Sequence, residues 1–83
     1  MNLSQMKVTK TLTIDAPQLG ERIKAAREAD SRSLTSICKQ VGMTTMNWYR
    51  IEAEQQSLPI ETLEKIEQVL GVAFDVSFDD GEA

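Results

Sequence analysis

Histidine is absent from this 83-residue sequence and cysteine occurs once, at Cys38, and these two facts exclude several kinds of site. A lone cysteine cannot form an internal disulfide, and one thiol without histidine gives too few soft ligands for zinc. The absence of histidine also removes the commonest general base, and no carboxylates are spaced so as to converge for acid–base catalysis. We therefore expect a protein without a metal, a cofactor or enzymatic activity.

Long hydrophobic runs are also missing, since no stretch approaches the roughly 18 apolar residues that a membrane span needs. The opening residues Met1 to Gln5 have neither the cationic nor the apolar region of a signal peptide. We expect a cytoplasmic protein with no membrane partner. The residues that are present, 41% hydrophobic and 27% charged, are typical of one small globular domain with little spare stability.

The charge is unevenly distributed along the chain. Residues 7–50 carry eight cations and four anions, a net charge of +4, whereas residues 51–83 carry one cation and nine anions, a net charge of −8. Such polarity lets one face meet a polyanion while the other face is repelled from it. A solvated surface on which charges cluster by accident explains the same pattern, and the charge alone leaves both interpretations open.

Alternating residues near both ends of the chain predict strands. The segment from Met6 to Ile14 alternates and is rich in β-forming residues, which predicts one strand, and Val72 to Phe78 alternates in the same way. Two such strands favour pairing with each other or across a dimer, because a lone strand leaves its backbone groups unpaired. We divide the chain into a strand arm at 1–15, a helical domain at 16–71, and a second strand with an acidic tail at 72–83.

Capping residues and apolar spacing predict four helices between the strands. The first begins at Asp15 as its N-cap, with Pro17 in the first turn, and continues to about Ala29. The fourth begins at Pro59 and ends at Gly71, and an apolar stripe runs along it between these residues.

The second and third helices follow each other closely. Ser33 caps the second, which ends at Gly42 because glycine tolerates the left-handed conformation of a helix end, and Thr44 caps the third. On the third helix Trp48 and Ile51 are spaced to face inward. Two short helices joined by a tight turn form a helix-turn-helix pattern. The second helix of such a pair fits the major groove, which is about 12 Å wide, so the pattern predicts duplex DNA as the partner.

From Gln18 to Val72 the sequence resembles the XRE, or phage-repressor-like, helix-turn-helix family. The resemblance is carried by Leu19-Gly20-Glu21-Arg22-Ile23 with Arg27, by Ser33 to Gly42, by Trp48 to Glu52 and by Leu63 to Gly71. The predicted terminal strands resemble those of HipB-type antitoxins in this family, which build an intermolecular sheet in a homodimer. The resemblance implies a mainly α, four-helix repressor-like domain with a short β-sheet from the N- and C-terminal strands, shared across a dimer.

The resemblance also implies roles for individual residues. Arg27 and Glu52 would form an ion pair that holds the third helix. Arg50 suits guanine and Asn47 suits adenine, at about 1–3 kcal/mol of discrimination for each good pair. The base-facing residues would be Thr44, Thr45, Met46, Asn47, Tyr49 and Arg50. The phosphate-facing residues would be Ser33, Leu34, Thr35, Lys39, Gln55 and Gln56. The dimer seam would be Val8, Leu12, Ile14, Val72, Phe74, Val76 and Phe78.

The function implied is that of a sequence-specific transcriptional regulator that binds an inverted repeat of double-stranded DNA as a homodimer. Three departures from the family pattern favour another class of function: Leu34 replaces a polar residue, Glu54 replaces a glycine, and residues 51–83 are strongly acidic. The alternative is an antitoxin or anti-repressor-like module that binds a protein partner, a toxin or another regulator, with secondary or lost DNA binding.

Some of these residues also have purely structural interpretations. Arg50 could be an exposed helical residue paired with a nearby carboxylate, and Tyr49 could be a surface aromatic or a dimer contact. We expect Trp48 in the core and Cys38 buried and unreactive. The C-terminal strand could instead pair within its own chain, although its large alternating apolar residues favour a dimer seam.

Overall fold

The computed structural model describes residues 5–9 and 13–76, and in these ranges the chain forms four helices and three short strands. In chain order the elements are β1 (Gln5–Thr9), β2 (Thr13–Pro17), α1 (Leu19–Glu28), α2 (Leu34–Val41), α3 (Thr45–Glu52), β3 (Leu58–Pro59) and α4 (Ile60–Leu70). The prediction of a mainly helical chain with four helices is confirmed. Among the residues described, no helix has the length and apolar character that crossing a membrane requires.

The three strands form one sheet in the order β2-β1-β3. β1 runs antiparallel to β2, with Val8 opposite Ile14, and parallel to β3, with Val8 beside Leu58. The predicted single strand from Met6 to Ile14 is therefore wrong, because two strands occupy this region and the second continues to Pro17. Pairing the two segments with each other satisfies backbone groups that one continuous strand would leave without a partner.

The start of α1 also differs from the prediction. Asp15 and Pro17 belong to β2, where Asp15 pairs with Lys7 and Pro17 with Gln5, so neither residue lies at a helix start. The N-cap residue is Gln18, which is left-handed with φ of 57° and makes no side-chain capping bond. The predicted division at residue 15 falls inside β2, because pairing with β1 outweighs the local capping signal.

Local signals place the ends of the later helices correctly. The Ser33 hydroxyl accepts a hydrogen bond from the Ser36 backbone N–H at 3.1 Å, and the Thr44 hydroxyl accepts one from the Asn47 backbone N–H at 3.1 Å. Gly42, with φ of 92°, ends α2, and a second left-handed glycine, with φ of 70°, ends α4. The two caps leave only a short connection between α2 and α3.

The helices pack around one apolar core. Burial of Trp48 and Ile51 confirms the inward face predicted for α3, and Ile37 on α2 is buried as well. The stripe predicted on α4 is buried only in its middle, since Ile60 and Leu70 are half-buried at its two ends. The buried apolar residues are Leu19, Ile23, Ile37, Cys38, Trp48, Ile51, Leu58, Leu63, Ile66 and Phe74.

Residues 72–76 form neither a helix nor a strand. Side chains of α1 and α4 hold this segment by hydrogen bonds to its backbone. The Phe74 backbone N–H donates to the Glu67 carboxylate at 2.9 Å, and the Phe74 carbonyl accepts from the Arg22 guanidinium at 2.6 Å. The same guanidinium lies 5.7 Å from the centre of the Phe74 ring. The predicted strand from Val72 to Phe78 is wrong over residues 72–76, because these side chains take backbone groups that a strand would use for pairing. Residues 77 and 78 lie outside the described residues.

Candidate nucleic-acid interface

Helix α3 turns one side to the core and the opposite side to solvent. Trp48 and Ile51 are buried, whereas Met46 is 62% exposed, Tyr49 is 54% exposed and Arg50 is exposed beside them. Residues three and four positions apart are neighbours on a helix surface, so Met46, Tyr49 and Arg50 form the outer face of α3. A shallow depression along this face is lined by Thr45, Met46, Tyr49, Arg50, Ala53 and Gln55.

The Glu52 carboxylate fixes α3 against α1. It accepts two hydrogen bonds from the Arg27 guanidinium, at 2.8 and 2.9 Å, and one from the Trp48 indole N–H at 2.5 Å. The ion pair predicted between Arg27 and Glu52 is thus present, and the Glu52 side chain is only 7% exposed. Bonding to Glu52 raises the pKa of Arg27, although burial of the guanidinium opposes the shift. A two-bond arginine–carboxylate pair has a fixed geometry and therefore limits rotation of α3 against α1.

Tyr49 contacts the same arginine. The guanidinium carbon of Arg27 lies 5.9 Å from the centre of the Tyr49 ring, within the range of a cation–π interaction. This contact orients an exposed aromatic side chain on the outer face of α3. Arg27 therefore both anchors the helix through Glu52 and positions a candidate DNA contact, and nothing in the sequence pattern predicts the second role.

Helix α1 and the end of α3 approach each other closely at Gly20. A β-carbon at this position would collide with the Glu52 carbonyl oxygen and lie 2.7 Å from the Glu54 side chain. Glu54, with φ of 59°, is left-handed at the position where the repressor-like family pattern has glycine. Its carboxylate accepts a hydrogen bond from the Gly20 backbone N–H at 2.8 Å and so caps the N-terminus of α1, which Gln18 leaves uncapped. This departure from the family pattern joins α1 to α3.

Asn47 lies at the edge of the outer face and is half-buried. Its side-chain oxygen accepts a hydrogen bond from the Gln56 amide at 2.9 Å, and its nitrogen lies 3.9 Å from the Met43 sulfur. The structure thus joins a residue predicted to face bases with one predicted to face phosphates. The prediction treated these two side chains as independent, because helical spacing does not connect Asn47 with a loop residue nine positions later.

The remaining residues predicted to face DNA differ in exposure. Leu34 and Thr45 are half-buried, and Leu34 packs against the core. The Leu34 side chain therefore does not take the place of the polar residue that the family pattern has there, and only its backbone N–H, near the start of α2, suits an anion. The exposed members are Ser33, Thr35, Lys39, Thr44 and Gln55.

The charged side chains exposed on α2 and the outer face of α3 are positive. From Ser33 to Ile51 the only charged residues are Lys39 and Arg50, and both are exposed. The carboxylates of Glu52 and Glu54, which follow, each accept hydrogen bonds within the fold. The charged side chains that α2 and the outer face of α3 expose to a partner are therefore cations, and this favours a negatively charged partner there.

The residues predicted to form the dimer seam lie in different surroundings. Phe74 is 5% exposed within its own chain, which corrects its assignment to the seam. Val72 is 38% exposed and Val76 is half-buried. Val8 and Ile14 are opposite each other in the sheet, and Leu12 and Phe78 lie outside the described residues.

Cys38 is buried, as predicted, and burial raises the pKa of its thiol. Within residues 5–9 and 13–76 no three histidine, cysteine, aspartate or glutamate side chains lie together in a metal-binding group. Comparisons with models of protein families, with curated proteins and with solved structures found no match. We therefore infer the function from the geometry and charge of α3 and its neighbours.

Proposed function

We propose that this protein is a sequence-specific transcriptional regulator that binds double-stranded DNA by inserting α3 into the major groove. The observation that supports this most directly is the two-sided character of α3. Trp48 and Glu52 anchor its inner side, whereas Met46, Tyr49 and Arg50 are exposed on the outer face. A rigid helix with an exposed row of side chains is what reading base edges requires.

The chemistry of the outer face suits contacts with bases. Arg50 is an exposed cation with a planar donor fork that can pair with guanine, and Met46 is apolar and can contact a thymine methyl group. Lys39 and the exposed polar residues near the start of α2 suit phosphates, which position the protein without reading sequence. The absence of acidic residues from 33 to 51 favours such an approach.

We further propose that the protein acts as a homodimer on an inverted repeat. A twofold dimer would place two copies of α3 about 34–36 Å apart, one turn of DNA, and would double the small number of phosphate contacts that one copy can make. With Phe74 buried, Val72 and Val76 are the described C-terminal residues with apolar surface left for a seam.

Selection of bound sequences from a random duplex pool tests this function. We expect the recovered sequences to contain an approximate inverted repeat, and we expect affinity to fall linearly with salt on a log–log plot, since bound phosphates release counterions. Recovery of no preferred sequence, together with binding that does not respond to salt, would contradict the proposal.

Two variants separate base contacts from phosphate contacts on the selected site. Arg50→Ala should reduce the free energy of binding to this site by about 1–3 kcal/mol and relax the preference at one base position. Lys39→Ala should weaken binding to all duplexes alike, and it should lower the slope of log affinity against log salt by about 1. If Arg50→Ala weakens selected and random duplexes equally, Arg50 is not a base contact.

The exposed apolar side chains favour a second candidate, an antitoxin or anti-repressor-like module that binds a protein partner. Met46, Tyr49 and Val72 are the large apolar residues exposed among those described, and residues 51–83 carry a net charge of −8. A protein partner could cover such a surface without phosphate contacts. The salt titration distinguishes the two candidates, because only DNA binding must release counterions.

A further inference from the structure

The hydrogen-bonded pair of Asn47 and Gln56 lies at the edge of the outer face of α3. The Gln56 side-chain nitrogen donates to the Asn47 side-chain oxygen at 2.9 Å. On its other side, the Asn47 side-chain nitrogen lies 3.9 Å from the Met43 sulfur. The Asn47 amide is therefore held between the loop that follows α3 and the connection that precedes it, with its oxygen toward Gln56 and its nitrogen toward Met43.

The chemistry of the two neighbours determines which way round the Asn47 amide lies. A methionine sulfur accepts a hydrogen bond and cannot donate one, so it favours the nitrogen of Asn47 on its side. The oxygen then faces Gln56, and Gln56 must present its own NH₂ group. An asparagine without such neighbours turns its amide to suit either a donor or an acceptor on a base, whereas this one is committed to a single orientation.

We propose that Gln56 is a positioning residue that holds the Asn47 amide in one orientation and thereby sets which base Asn47 selects. This inference rests on the proposed function. Gln56 occupies one lone pair of the Asn47 oxygen and Met43 lies at one N–H, so the second lone pair and the second N–H are left for DNA in fixed places. A donor and an acceptor fixed in this order suit the paired contact with adenine, whose N7 accepts and whose N6 amino group donates.

The substitution Gln56→Glu tests the orientation because a carboxylate accepts hydrogen bonds and cannot donate to the Asn47 oxygen. The Asn47 amide should turn over and donate to Glu, which exchanges the places of the N–H and the lone pair left for DNA. The paired contact with adenine needs them in the original order, so the preference for adenine at that position should be lost. Gln55→Glu is the matched control, since it adds the same charge at the neighbouring exposed position.

The readout is the ranking of four duplexes that differ only at the base position whose preference is lost in Asn47→Ala. Both glutamate variants should bind all four more weakly than the wild type, because each adds a negative charge. Only Gln56→Glu should change the ranking, by about tenfold between adenine and the other bases, which corresponds to about 1.4 kcal/mol. If the two glutamate variants rank the bases as the wild type does, the inference is overturned.

A measurement without DNA separates a positioning role from a merely structural one. In Gln56→Glu the Asn47 side-chain amide protons should shift in the NMR spectrum and exchange more slowly, because they bond to a carboxylate. That change together with an unaltered base ranking would make the pair structural only and would overturn the inference. A wild-type chain that binds no duplex would instead overturn the proposed function itself.

A second variant keeps the inference testable if Gln56→Glu does not fold. Asn47→Asp keeps an acceptor for Gln56 and removes the donor that we assign to DNA binding. It should weaken binding to the preferred duplex at least about fivefold more than Gln55→Glu does, although both variants add one negative charge. Equal weakening by the two variants would show that the Asn47 donor does not contact a base.

Discussion

Glu54 adopts a backbone conformation that suits glycine, and its side chain offsets part of that cost. With φ of 59° it lies in the left-handed region, where a β-carbon is crowded. Its carboxylate bonds to the Gly20 backbone N–H at 2.8 Å, at a helix start whose own N-cap makes no side-chain bond. A residue just after α3 therefore caps α1, and this bond helps to hold the two helices together.

Two substitutions separate the strain at Glu54 from its bond. Glu54→Ala keeps the unfavourable backbone and loses the bond, so the free energy of unfolding should fall by about 1–2 kcal/mol. Glu54→Gly loses the same bond and relieves the backbone, so it should be more stable than Glu54→Ala by about 1 kcal/mol. Urea denaturation of the three proteins measures both differences. Equal stability of the two variants would mean that the left-handed backbone costs nothing here.

Helical spacing was enough to predict the outer face of α3 but not the contacts that constrain it. Met46, Tyr49 and Arg50 lie on the side opposite the buried residues, as the 3.6-residue period requires. The bond between Asn47 and Gln56 joins a helix to an irregular loop, where no period exists to reveal it. Side-chain partners outside regular elements depend on the tertiary fold, which the local sequence does not encode.

The helices of this chain could be predicted more accurately than its strands because their signals are local. Ser33 and Thr44 each accept a hydrogen bond from the backbone N–H three residues later, and Gly42 ends α2 in its own conformation. Strand pairing is set by distant residues: β1 pairs with Leu58, which alternation does not indicate. Phe74 alternates as in a strand, yet side chains of two helices take its backbone groups.

Asp30 and Arg32 fasten the connection between α1 and α2 to α4. Arg32 donates to the Asp30 carboxylate at 2.7 and 2.9 Å and to the Val69 carbonyl at 2.6 Å. The side-chain bonds from Arg32 lower the pKa of Asp30 from 3.8 to about 2. The connection between these elements therefore depends on an ionised carboxylate.

The stability that Asp30 contributes should disappear in acid. Because its pKa is lower in the folded chain, its contribution is complete above about pH 4 and is lost as the pH falls toward 2. Asp30→Asn should therefore lower the melting temperature at pH 6, and the difference from the wild type should narrow between pH 4 and pH 2. Thermal unfolding followed by circular dichroism across this range measures the difference in melting temperature. A difference that stays constant down to pH 2 would show that ionisation of Asp30 is not what stabilises the fold.

At the scale of the whole molecule, the two ends of the helical region are fastened to each other. Arg22 on α1 and Glu67 on α4 both bond to the backbone of Phe74, whose ring fills the core between them. A chain of 83 residues has a small core, so one large buried ring supplies a considerable part of it. The C-terminal segment thus stabilises the domain that carries α3.

Substitution of Phe74 distinguishes this internal role from the dimer seam that the alternating pattern suggested. Phe74→Ala should lower the free energy of unfolding by about 3–5 kcal/mol, a large fraction of the total for a small domain. Val72→Ala, at an exposed neighbour, should cost less than about 0.5 kcal/mol. Urea denaturation at two protein concentrations provides the measurement. If Phe74 lies in the core, the free energy of unfolding lost in Phe74→Ala should be the same at both concentrations. A loss that depends on concentration, together with a lower sedimentation mass, would place Phe74 at the interface between copies.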